Sequence, residues 1–185
     1  MISPSDHIQK IINEQYNSID DAHSRLTEIW MEDILFSFGW FTTLFLTFLP
    51  WIVWFIFRKK ESSTRLLIGG LWAMFISSWL DYVGVTLGLW RYYNKLIPLM
   101  PDYIAWDFAL MPVTIMFFLQ IKPQVSPKIK GLIFAGMTAF LAEPFFLWLG
   151  YYKYPGWNSI ISFPFFFVIY LIAHKLAYSS FINPL

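Results

Sequence analysis

The stretch Leu80-Asp81-Tyr82-Val83-Gly84-Val85-Thr86-Leu87-Gly88-Leu89-Trp90-Arg91-Tyr92-Tyr93 decides how this chain folds. It sets a carboxylate inside an apolar run, follows it with two glycines one helical turn apart, and ends on an aromatic-cationic cluster. An acid at the centre of a membrane helix costs on the order of 2.5–3.5 kcal/mol, so it is kept where it faces protein or a cavity. The pattern occurs a second time. Glu143 is followed by Gly150, Tyr152 and Tyr154 at the offsets that Gly88, Trp90 and Tyr92 have from Asp81.

The surrounding composition is that of a membrane protein. The 185 residues are 57% hydrophobic, 22% aromatic and 14% charged, where soluble domains carry roughly 25% charged residues. Mean hydropathy is +0.52. Seven of the twelve acids precede residue 34; the rest of the chain is mostly apolar runs of about 20 residues, the length that crosses a bilayer core. The expected fold is all-α, a polytopic membrane bundle of five transmembrane helices behind an amphipathic N-terminal helix. The helix occupies 1–33 and the bundle 34–185, with spans at about 36–57, 66–90, 103–121, 131–150 and 160–177. Pro50, Pro112, Pro144 and Pro164 lie in or near spans. Each frees a carbonyl four residues back that a neighbour or water must satisfy.

Ser3-Pro4-Ser5-Asp6 reads as a helix start, with Ser3 as cap and Pro4 in the first turn. Behind it Ile8, Ile12, Gln15, Ile19, Ala22, Leu26 and Ile29 recur at alternating steps of four and three, a narrow apolar seam opposite Glu14, Asp20, Asp21 and Glu28. The helix is expected to lie back on the bundle; the alternative is a homo-oligomer or a protein partner bound through it. The first apolar run follows an acidic segment, so no cleavable signal peptide is expected. Eight Lys and Arg residues (58, 59, 60, 65, 122, 128, 130 and 175) fall on one side of the predicted spans and five (10, 25, 91, 95 and 153) on the other. The positive-inside rule then predicts a cell-membrane protein with its N-terminus outside and its C-terminus cytoplasmic.

In that topology Asp81, Asp107 and Glu143 all fall in the outer half of the membrane. Ser77, Asp81, Gly84 and Gly88 share one helical stripe, and Gly136, Ala139 and Glu143 share another. Small residues admit a neighbouring helix, which predicts that each acid faces the bundle and that the three form one buried cluster. They are the candidate catalytic residues. Trp90, Arg91, Tyr92, Trp106, Trp148 and Tyr152 are the candidate substrate contacts, although most aromatics bordering the loops read as headgroup anchors. Trp106-Asp107 leads to Pro112 as Trp157-Asn158-Ser159 leads to Pro164, so hairpins 66–121 and 131–177 read as a repeat.

A net charge of +1 leaves no electrostatic footprint for nucleic acid, and the absence of cysteine excludes a disulfide or a thiol nucleophile. No metal site and no cofactor are expected. Three functions fit. A structural or regulatory membrane protein, with the acids holding the bundle together, is ranked first. A membrane enzyme or binder for an isoprenoid or membrane lipid, using buried carboxyls for acid–base chemistry, is the alternative. A small proton-coupled transporter comes third.

The motifs Leu80-Asp81-x-x-Gly84-x-x-x-Gly88-Leu89-Trp90, Asp107-Phe108-x-x-x-Pro112, Glu143-Pro144-x-x-x-Trp148-Leu149-Gly150-x-Tyr152 and Ser162-Phe163-Pro164, with Leu49-Pro50-Trp51, resemble a family of uncharacterised small five-span membrane proteins of spore-forming Gram-positive bacteria. That resemblance implies topology and no activity. The Asp81–Asp107 hairpin also resembles the small multi-spanning lycopene cyclases and carotenoid hydratases, which implies acid catalysis on an isoprenoid. The Pro-x-Glu-Glu expected of them is missing here, where Pro101 is followed by Asp102 and later Asp107.

Overall fold

The computed structural model describes residues 3–179. Met1, Ile2 and residues 180–185, which close the second predicted domain, lie outside the described residues. Helix α1 (Asp6–Ile29) is followed by α2 (Phe38–Phe57), α3 (Ser63–Thr86), α4 (Trp106–Gln120), α5 (Pro127–Trp148) and α6 (Ser159–Ala177). Four of them, α2, α3, α5 and α6, are long and apolar enough to cross a membrane. The fold is all-α apart from a two-stranded ribbon, β1 (Arg91–Tyr92) against β2 (Tyr152–Lys153).

The third predicted span differs. In α4 five residues of π-helical turn precede ten of α-helix, which at 1.5 Å per residue rise about 22 Å, short of a bilayer core of about 30 Å. The segment 88–105 before it folds back onto the helices. Trp30 and Trp40 donate their indole N–H groups to the Lys95 and Leu96 carbonyls at 2.8 and 3.2 Å. The Thr43 hydroxyl lies 2.8 Å from the Tyr103 hydroxyl and 2.8 Å from the Asn94 carbonyl.

Caps follow local chemistry. The Ser37 side chain accepts from Trp40 N–H at the start of α2, and Asn158 accepts from Ile160 and Ile161 N–H at the start of α6. At α1 the cap is Ser5 rather than Ser3, so Pro4 precedes the helix instead of entering its first turn. No residue of α1 is buried.

Helix α3 is the hub, packed on α4 and α6, while α5 packs on α6. A Cβ at Gly69 would stand 2.6 Å from Leu119, and one at Gly70 would stand 2.9 Å from the Met116 sulfur. These two residues, not the glycines after Asp81, bring the helices together. The core around them is apolar and closed: Trp54, Met111, Ile115, Met116, Leu119, Phe134 and Tyr170 are buried in it. Lys130, expected in a loop, is buried, and its ammonium caps α4 at the Ile121 carbonyl, 2.8 Å away.

The carbonyl freed by Pro112 has a partner: Trp51 donates its indole N–H to Phe108 O at 2.7 Å. Replacing Trp51 with Phe keeps the ring and removes the donor. Thermal unfolding in detergent should show a loss of about 0.6–1.7 kcal/mol, the range of hydrogen bonds between membrane helices. An unchanged melting temperature would mean that the carbonyl finds another donor.

Candidate functional site

The ends of α3, α4 and α5, the start of α6 and the ribbon enclose a cavity of about 110 Å³. Asp81, Asp107 and Glu143 all line it. The local structure explains how each arrives there. Asp81 lies on the buried stripe of α3 with Ala73, Ser77 and Gly84. Asp107 is inside the π-helical turn Trp106–Leu110, which lies just before Pro112; Glu143 follows the π-helical turn Thr138–Ala142, just before Pro144. Such turns shift the side-chain register by one residue and are frequent at functional sites.

Asp81 is the best-satisfied of the three. Its Oδ1 accepts from Trp90 Nε1 at 3.1 Å and from the Tyr92 hydroxyl at 2.9 Å, and its Oδ2 accepts from Tyr103 N–H at 3.3 Å. The same N–H lies 3.1 Å from Asp107 Oδ2. One backbone donor therefore joins two carboxyls that are within hydrogen-bond reach of each other. Two carboxylates so placed repel unless a proton sits between them. Burial first, and then the charges of Asp81 and Asp107, hold the Tyr92 phenol well above its usual pKa, so Tyr92 donates at any physiological pH.

Two carboxyl oxygens are buried without a hydrogen-bond partner among the described residues, Asp107 Oδ1 and Glu143 Oε2. Asp107 is 0% exposed and Glu143 8%. The Glu143 carboxyl stands beside the hydroxyls of Ser159 and Ser162. Ser162 in turn accepts from Trp157 Nε1 at 2.9 Å. Lys95, the cation that acts on Asp81, has its ammonium 2.7 Å from the Met100 carbonyl and does not line the cavity. Burial lowers its pKa, against the pull of Asp81 and Asp102. Burial raises that of Asp102, which Lys95 partly offsets.

Of the six residues expected to contact a substrate, Trp90, Tyr92, Trp106 and Tyr152 line the cavity. Arg91 and Trp148 do not. Arg91 points to the outer side of the ribbon, because successive strand side chains alternate and Tyr92 takes the inner side. Trp148 ends α5 and is 79% exposed. Tyr103 and Trp157, read as headgroup anchors, belong to the site instead: Tyr103 is 2% exposed and bridges the acid pair, and Trp157 packs edge-on against Trp90 with centroids 5.3 Å apart. Phe146, Phe165 and Phe166 complete the wall and carry no sequence signal that separates them from lipid-facing phenylalanines.

The glycines of the opening stretch act differently from expectation. The space a Cβ would take at Gly84 is filled by the Trp90 indole, which Gly84 admits so that Nε1 reaches Asp81. Gly88 and Gly150 take left-handed φ values of +69° and +73° and turn the chain from helix into ribbon. Gly136 has nothing within 4 Å of its Cβ position. The two turns are alike, but Tyr92 and Tyr154, each eleven residues after its acid, are not: Tyr92 donates to Asp81 whereas the Tyr154 hydroxyl lies 3.2 Å from that of Ser159. The ribbon register pairs Arg91 with Lys153, each ten residues after its acid.

Among the described residues, no three acidic or imidazole side chains converge closely enough to hold one metal ion. Comparison with protein-family models, curated proteins and solved structures finds no match for this chain.

Proposed function

We propose that this chain is a membrane-embedded binding protein for an apolar or amphiphilic ligand, whose polar or reactive end meets the carboxyls of Asp81, Asp107 and Glu143. The single observation that carries the reading is the cavity itself: an open, aromatic-walled space touching all three acids. Acids that only hold a bundle together are wrapped in donors. Asp81 is, but Asp107 Oδ1 and Glu143 Oε2 are not. This favours the ligand reading over the structural or regulatory one. Transport needs a polar path onward, and the residues beyond the cavity form the closed apolar core around Ile115, Met116 and Phe134. Acid–base chemistry on an isoprenoid or lipid is an extension that the shared-proton geometry of Asp81 and Asp107 supports.

In this proposal α2 to α6 make five spans, with the N-terminus outside and the cavity in the outer half of a cell membrane. The shortness of α4 supports it: irregular backbone at membrane depth is tolerated where it is buried in protein or lines a cavity, and 101–105 carries the buried Tyr103 and Ala105. Phe165 is the one exposed residue of the lining, at 43%, and marks a mouth on the side of the bundle, where a ligand dissolved in lipid would enter.

Native mass spectrometry of protein released from membranes tests the reading. The wild type should carry an apolar adduct, and Ser162→Phe, which fills the cavity, should lose it. Absence of any adduct on the wild type, or equal occupancy in Ser162→Phe, would contradict it.

A further inference from the structure

The cavity has a sign. Ten of its eighteen lining side chains are aromatic and three are acidic, and none is Lys, Arg or His. Four of the aromatic polar groups are engaged by the protein: Trp90 Nε1 and Tyr92 OH go to Asp81, Trp157 Nε1 goes to Ser162, and Tyr103 OH pairs with Thr43. What these side chains offer is ring surface. The rings meet steeply, Trp90 and Trp157 at 68°, Trp106 and Phe146 at 84°, Trp106 and Phe166 at 57°, so they form the corners of a box rather than a slot. Ring faces carry negative electrostatic potential and attract cations.

The two unpartnered oxygens add the second half. Asp107 Oδ1 and Glu143 Oε2 are buried acceptors with no donor. A neutral hydrocarbon leaves both unsatisfied, and an anion adds repulsion. A cation is the ligand charge that buried acceptor oxygens and ring faces both favour. Size sets the rest. At about 110 Å³ the cavity holds one small end of a molecule, while the remainder leaves through the mouth at Phe165.

Resting on the binding role proposed above, we infer that the ligand is an organic ammonium ion, a quaternary or protonated amine carrying an apolar body, with its charged end in the box formed by Trp90, Trp106, Trp157, Asp107 and Glu143. A lipid headgroup and a free amphiphilic amine share this chemistry.

Calorimetric titration of the full chain in phosphatidylglycerol nanodiscs tests the inference with two probes of equal shape, choline and its uncharged isostere 3,3-dimethylbutan-1-ol. Choline should bind about tenfold more tightly or better, in line with cation–π and charge contributions, and Glu143→Gln and Trp157→Leu should each erase the difference. Since the comparison is made first on the wild type, a variant that fails to fold leaves it standing. Equal binding of the two probes overturns the inference and leaves the apolar-ligand reading intact; binding of neither overturns both. Repeating the choline titration in phosphatidylcholine nanodiscs distinguishes the sources. Suppressed binding there identifies a lipid headgroup as the occupant, and unchanged binding identifies a free amine; each supports the ammonium assignment.

Discussion

Asp81→Ala is expected to destabilise the protein by roughly 2–6 kcal/mol, because it strands two buried donors that cost about 1–3 kcal/mol each when unpaired. Those donors are Trp90 Nε1 and the Tyr92 hydroxyl, both held by Asp81 Oδ1. The third, Tyr103 N–H, keeps Asp107 Oδ2 at 3.1 Å. Asp107→Ala is the informative contrast. It strands no donor, since Tyr103 N–H retains Asp81 Oδ2, and it removes a neighbouring carboxyl, so its effect should stay within about 1 kcal/mol, the ordinary size of a single substitution. Chemical or thermal unfolding in detergent measures both. If the two substitutions cost the same, the acids are equal members of a structural network and the separation of roles made here is wrong. Asp81→Asn, which keeps an acceptor oxygen, should recover most of the loss.

The second large effect is at Gly84. A methyl group there would overlap the Trp90 indole, and overpacking a closed site costs about 1–3 kcal/mol. Gly84→Ala should therefore lower the melting temperature and, by displacing Trp90 from Asp81, shift tryptophan emission. Trp90→Leu should partly rescue Gly84→Ala by removing the ring that clashes. Gly136→Ala, where the added methyl meets open space, should be neutral. An unchanged melting temperature for Gly84→Ala would contradict the role given to this glycine.

These two positions also show what was legible in the sequence. Burial of Asp81, Asp107 and Glu143 was readable, since an acid in an apolar run has few places to go. The long apolar helices were equally plain from length and composition. What Gly84 admits was not readable. A small residue one turn from an acid fits a passing helix or a folded-back side chain equally well, and only the path of 88–105 decides between them. That path accompanies a short α4 that begins with a π-helical turn before Pro112, and no periodicity signals such a turn. The places of Tyr103 and Trp157 in the site were equally hidden. An aromatic ring near a helix end has the same composition signal at a lipid interface and in a cavity wall. Arg91 and Trp148 failed for a simpler reason, since both adjoin positions that point inward and themselves point outward.

The central claim is that the three acids bound one accessible cavity that favours positive charge. Because the chain has no cysteine, Ser162→Cys places a single thiol on that cavity beside Glu143, and Val168→Cys, half exposed on the same helix, serves as a lipid-facing control. In liposomes, the rate of modification by a trimethylammonium methanethiosulfonate should exceed that by the sulfonate reagent by about tenfold or more at position 162, as expected when acidic walls concentrate counter-ions. Glu143→Gln should reduce the ratio. A thiol at 162 that is unreactive, or that reacts faster with the anionic reagent, would contradict the account.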